Sequence, residues 1–179
     1  MIRNTELRYG SLAKFFHWLV FLLVAVLVLV GFLWEETGAI KYTVINTHKL
    51  AGLLTLMVII LRILWTLGNP KPQLPNAKRW EKIVEHTVHG LIYVSLLGMP
   101  LSGWTMATAA GRPPHLWGHI FSMPGVATDM ALANKANEVH GVLAWILIGL
   151  VSIHILAALK HHFIDRDNIL KRMLPGNWN

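Results

Sequence analysis

The chain has 179 residues, of which 54% are apolar, and its formal charge is +7. That balance excludes an ordinary soluble domain and points to a membrane protein. Cysteine is absent, which excludes disulfides, Cys-held iron–sulfur clusters and any thioether-attached prosthetic group.

Four apolar runs follow one another, near residues 15–34, 47–67, 87–109 and 139–159. Each has about 20 residues, enough at a rise of about 1.5 Å per residue to cross roughly 30 Å of hydrocarbon. The expected fold is all-α: a single domain over 1–179, an integral membrane four-helix transmembrane bundle. Arg3, Arg8 and Lys14 precede the first run. It is nevertheless longer than a signal-peptide core and no A-x-A site follows it, so it reads as a retained helix. Residues 35–46 form a short connection. The second connection, GNPKPQLPNAK at 68–78, is punctuated by proline. The longest spans 110–136 and contains GRPPHLWGHIFSMPG; its Trp117, Ile120 and Phe121 suggest a short element lying on the membrane interface. Pro100 falls inside the third run, where it predicts a kink.

The cations are distributed unevenly. Three precede the first run, five (Arg62, Lys71, Lys78, Arg79, Lys82) flank the second connection, and four follow Leu159. Against these twelve stand only Lys41, Lys49, Arg112 and Lys135. By the positive-inside rule both termini are cytoplasmic, and no nucleic-acid partner is needed to explain the charge.

Histidines inside apolar helices need partners, because an unsatisfied polar group in hydrocarbon costs several kcal/mol. His140 and His154 are fourteen residues apart, about 21 Å along a helix and within about 40° of the same direction. Alternating helix directions put His17 and His154 at the inner level and His48 and His140 at the outer level. Two stacked pairs of imidazoles on facing helices are what two bis-histidine haems require. Gly52, Ala144 and Ala158 lie one turn beyond three of these histidines, where a flat macrocycle needs close approach or where helices simply pack.

Arg62, fourteen residues after His48, projects at the inner level, either toward a haem propionate or snorkelling to the surface. His86 and His89 sit three apart at that level, as proton-relay or propionate partners or as rival axial ligands. His161, two turns beyond His154, is placed to accept or give protons at a quinone headgroup, with Lys160 and His162 as further candidates. Lys49 adjoins His48 and, with Lys41, Arg112 or Lys135, can form a positive mouth for a small anionic donor. His115 and His119 have the i, i+4 spacing of a metal pair on a helix, but no third ligand accompanies them and they read as surface histidines.

The segments AKFFHWLVF with His17, INTHKLAGLL with His48, RILW with Arg62, VEHTVHGLIY with His86 and His89, NEVHGVLAW with His140, and SIHILAALKHHFIDRDNILKRMLP with His154 and His161 resemble the prokaryotic di-haem cytochrome b561 family. That family is related to the membrane cytochrome b subunits of hydrogenases and formate dehydrogenases. The resemblance covers nearly the whole chain, and the family's ligand positions fall on His17, His48, His140 and His154. It implies two non-covalent b haems in a multi-pass protein of the bacterial inner membrane, passing electrons from a periplasmic donor to the quinone pool. Some members are regarded as superoxide:ubiquinone oxidoreductases; others anchor a partner dehydrogenase or hydrogenase, so a protein partner or a homodimer is also compatible. A histidine-lined metal transporter is the remaining rival.

Overall fold

The computed structural model describes residues 1–6, 8–72 and 79–174; Lys78 and the rest of 73–78 in the second connection lie outside them, as does Pro175. The protein is mostly helical. Three helical stretches among the described residues are long and apolar enough to cross a membrane: Ser11–Leu67, Arg79–Ala109 and Met130–Phe163. The first is two helices, α1 (Ser11–Leu33) and α2 (Lys41–Leu67), joined by a 3₁₀ segment, Trp34–Ile40. Gly38, at φ 58° and ψ −123°, breaks the helix there, in a region that side chains with a Cβ avoid. The two helices then pack side by side. The short connection expected over 35–46 is therefore tighter, because residues 41–46 already belong to α2.

α3 spans Arg79–Ala109 and continues through Pro100. A two-residue hairpin follows, β1 (His115–Leu116) and β2 (His119–Ile120), in antiparallel register with His115 opposite Ile120. α4 spans Met130–Phe163, and its N-terminus is capped by Asp129, whose Oδ1 accepts from the Ala131 and Leu132 amides at 2.8 and 3.2 Å. A last short helix, α5 (Ile169–Met173), folds back beneath the bundle.

Side-chain bonds gather the ends of the chain. Asn4 donates to the Pro70 carbonyl, Lys14 to that of Leu174 and Trp18 to that of Met173. The N-terminus, the α2–α3 connection and the C-terminal helix thus share one end. At the other end Asn46 on α2 pairs with the backbone of His115 in both directions, and Lys49 donates to the Arg112 carbonyl.

The core is small and lies midway. Val20 of α1, Val58 and Ile59 of α2, Leu96 of α3 and Leu147 of α4 form one buried cluster. Leu147 is seven residues from both His140 and His154, so this apolar plug separates the two histidine levels. Most other large apolar side chains, such as Leu22, Leu29, Leu64, Val94, Val142 and Leu156, are exposed. That surface is what hydrocarbon solvates and water does not.

Candidate functional site

Helix neighbours bring two of the four predicted ligand histidines together. His17 lies in the second turn of α1 and His154 ten residues before the α4 cap, yet their ring centres are 6.1 Å apart. Two imidazoles on opposite sides of one metal, each bound through a nitrogen at about 2 Å, bring their ring centres to roughly 6 Å. His89 of α3 comes nearer to His154, with ring centres at 5.0 Å and planes at 73°; this edge-to-face contact is shorter than the spacing of two imidazoles on opposite sides of one metal. His89 Nδ1 donates to the Glu85 carbonyl at 2.9 Å, and His86 Nδ1 to the Lys82 carbonyl at 2.7 Å. His86 is exposed, whereas His89 faces the bundle.

Arg62 joins this inner cluster from α2. Its Nη2 lies 3.1 Å from His17 Nδ1, and its guanidinium sits over the Tyr93 ring at 5.6 Å. An arginine has no acceptor, so His17 Nδ1 accepts and the imidazole proton is placed on Nε2. Outside the span, burial pushes the Tyr9 phenol above its ordinary range, and the Glu85 carboxylate pushes it further the same way.

At the other histidine level His140 Nδ1 is 3.0 Å from the Met99 carbonyl and 3.1 Å from Ser102 Oγ on α3. Donation to the carbonyl fixes the tautomer and leaves Nε2 with a free lone pair, as a metal-binding imidazole needs. Gly103 makes room for this ring: a Cβ there would lie 3.1 Å from His140 Cε1. Gly31 lies beside His48, where a Cβ would make only an ordinary 3.5 Å contact with its Cε1. His48 is within electrostatic reach of His140, and its Nδ1 is buried without a hydrogen-bond partner. Such an orphan is costly unless a group outside the protein satisfies it or its ring partner does. Gly52, one turn along from His48, faces open space. Ser102, Gly103, the Met99 carbonyl and Gly31 were not singled out from the sequence, where only the proximity of Gly103 to Pro100 marks the segment as unusual.

Beyond the inner level, His161 Nδ1 donates to Asp167 Oδ2 at 2.7 Å and lies 3.0 Å from Asp165 Oδ2. Lys160 bridges Asp165 at 2.8 Å and Glu81 of α3 at 3.8 Å. The Nδ1 of His162 is buried without a hydrogen-bond partner, and its ring abuts Phe163. Asp165 and Asp167 are further residues that sequence reasoning passed over.

The cations expected around His48 are only partly assembled. Lys49 and Arg112 lie together, whereas Lys41 stacks over Tyr42 at 5.3 Å. Lys135 lines a shallow groove with Ser102, Thr105 and Val139. His115 and His119 do not form a metal pair: the hairpin register sends them to opposite faces.

The family model described as prokaryotic cytochrome b561 matches residues 8–176. The chain is similar to cytochrome b561 homolog 2 of Escherichia coli (strain K12), at 35% identity over 177 residues, covering 96% of this chain and 93% of that one. It is 27% identical to cytochrome b561 homolog 1 of the same organism, covering 94% and 97% of the two chains. It is 29% identical to the probable superoxide oxidase CybB of Yersinia pestis, covering 94% and 96%.

Proposed function

The chain belongs to the prokaryotic cytochrome b561 family, a family of haem-binding membrane redox proteins, and from that premise we propose that it is a di-haem oxidoreductase carrying electrons from superoxide to ubiquinone. In this reading α1 to α4 are four spans of one domain in the bacterial inner membrane, with both termini cytoplasmic. The gathering of the termini and the α2–α3 connection at one cation-rich end supports that orientation.

The observation that carries the reading is the 6.1 Å separation of the His17 and His154 rings, the spacing of a shared metal. His17 and His154 would hold one b haem, and His48 and His140 the other. His89, in direct edge contact with His154, is better suited to a neighbouring polar role. A propionate carboxylate is a stronger acceptor for Arg62 than an imidazole nitrogen, and drawing Arg62 away leaves His17 able to present Nε2. Bound at these levels, haem supplies one-electron transfer along the bundle.

The chain's own groups serve the two ends. Lys49 and Arg112 raise the local concentration of a small anion beside His48. Two superoxide anions give one electron each and leave as dioxygen; one ubiquinone takes both electrons and two protons. His161, its Nδ1 held by Asp167 and Asp165, turns Nε2 toward the quinone as the proton-transfer group, with Lys160 and His162 beside it. The name of the Yersinia pestis relative supports the choice of donor. The experiment is direct: purified protein, supplied with superoxide, is expected to carry two extractable haems per chain and to reduce a ubiquinone analogue. One haem or none in fully loaded protein would refute the paired histidines. Activity only with an added dehydrogenase would replace superoxide oxidation by an anchor-subunit role.

A further inference from the structure

The outer hairpin is left unused by the redox reading. Its turn is Trp117–Gly118, with φ of 48° and 81°, the left-handed pair of a type I′ turn. Glycine adopts that conformation freely, whereas a bulky aromatic does so against its steric preference. The strained Trp117 is also 91% exposed, and Leu116, Ile120 and Phe121 beside it are exposed as well. Between residues 113 and 128 there is no Asp, Glu, Lys or Arg. A connection facing water, or a charged soluble partner, has no physical reason to exclude charge over such a length.

The base of the hairpin is firmly held. Pro114 is fully buried, and the Phe121 amide donates to its carbonyl. The Trp104 indole donates to the Phe121 carbonyl at 2.8 Å, Thr105 Oγ1 to Met123 Sδ at 2.9 Å, and the Met123 amide to Thr108 Oγ1 at 3.0 Å. Trp104 lies five residues before the end of α3, about 7.5 Å down its axis. The return limb therefore runs beside the last turns of the span, next to exposed Leu101, and is continuous with the lipid-facing surface.

We propose that Leu116, Trp117, Ile120 and Phe121 are seated in the headgroup–acyl boundary of the bilayer, on the side of the α3–α4 connection, with lipid as their occupant. The indole, apolar with one N–H donor, suits that depth. Because Asn46 clasps His115, the anchored hairpin also fixes the start of α2 near His48.

The absence of cysteine makes Trp117→Cys and Ile120→Cys unique labelling sites, with Glu36→Cys as a reference in the other connection at this end. The full chain, with its visible spectrum unchanged, is reconstituted into phosphatidylethanolamine/phosphatidylglycerol vesicles. A nitroxide at either hairpin site is expected to show an oxygen-to-nickel-chelate collision ratio several-fold above that at residue 36. An equal, water-like ratio at both sites would overturn the proposal. Spin–spin broadening that vanishes on dilution with unlabelled chain would overturn it too, assigning the tip to a second copy.

Discussion

Arg62 on α2 donates from Nη2 to Nδ1 of His17 on α1 at 3.1 Å, across 45 residues of sequence. A snorkelling arginine would point to the surface; this one points at a candidate ligand and stacks over Tyr93. A unit charge about 8 Å from a redox centre, at an effective dielectric of about 20, is worth roughly 2 kcal/mol, on the order of 90 mV for one electron. Arg62→Gln is thus expected to lower one of two haem potentials by tens of millivolts and leave the other in place. A redox titration of the visible bands checks this; two unmoved potentials would return Arg62 to the surface.

At the outer level the tight fit of His140 against α3 predicts unequal effects from two neighbouring changes. Gly103→Ala puts a methyl 3.1 Å from His140 Cε1 and 3.3 Å from its Nδ1, so the ring must shift by a few tenths of an ångström and the content of the haem it is proposed to hold should fall. Ser102→Ala removes the 3.1 Å contact with His140 and the hydroxyl's own 2.9 Å bond to the Met99 carbonyl, but leaves that carbonyl 3.0 Å from His140 Nδ1, a cost of about 1 kcal/mol with haem retained. Extracted haem per chain, measured for both variants, decides the matter. Equal loss would mean the tautomer is set by Ser102 instead.

Much of this was legible because hydropathy and helical period act locally. The runs at 87–109 and 139–159 mark the apolar parts of α3 and α4. Hydropathy reports hydrocarbon contact rather than helicity, so it missed the polar starts, residues 79–86 and 130–138, which are equally helical. The fourteen-residue interval correctly set His140 and His154 along one helix, but the groups that fix the tautomer of His140 belong to α3. Nothing along the chain says which helix lies next to it. His115 and His119 show the limit of spacing alone: four residues mean one face only in a helix, and Trp117–Gly118 turns that segment into a hairpin that leaves both exposed, as surface histidines are. The close edge contact of His89 with His154 is likewise a tertiary fact.

Lys49 Nζ donates to the Arg112 carbonyl at 2.8 Å, holding two cations together beside His48. Lys49→Gln keeps a donor for that carbonyl while removing the charge. The rate of superoxide-driven quinone reduction should fall roughly threefold at low ionic strength and little at high salt, where the Debye length shrinks to a few Å. Stopped-flow rates across a salt series test this. A loss independent of salt would mark Lys49 as structural rather than attractive.

His161 is held by Asp167 at 2.7 Å through Nδ1, and the same carboxylate caps α5 by accepting from the Ile169 amide at 2.9 Å. Asp167→Asn can preserve that cap through its amide oxygen while losing the second carboxylate oxygen, which separates proton handling from folding. Positioned proton transfer typically contributes about 100-fold or more. His161→Ala is therefore expected to slow quinone-dependent haem reoxidation by at least about tenfold, with haem content unchanged. Asp167→Asn should slow it less, because Asp165 still lies 3.0 Å from Nδ1 while the amide holds the ring less firmly than the carboxylate does. Rapid mixing of reduced protein with a ubiquinone analogue reads both effects. Unchanged rates in both variants, with haem intact, would move the quinone end toward His86 and His89 on α3.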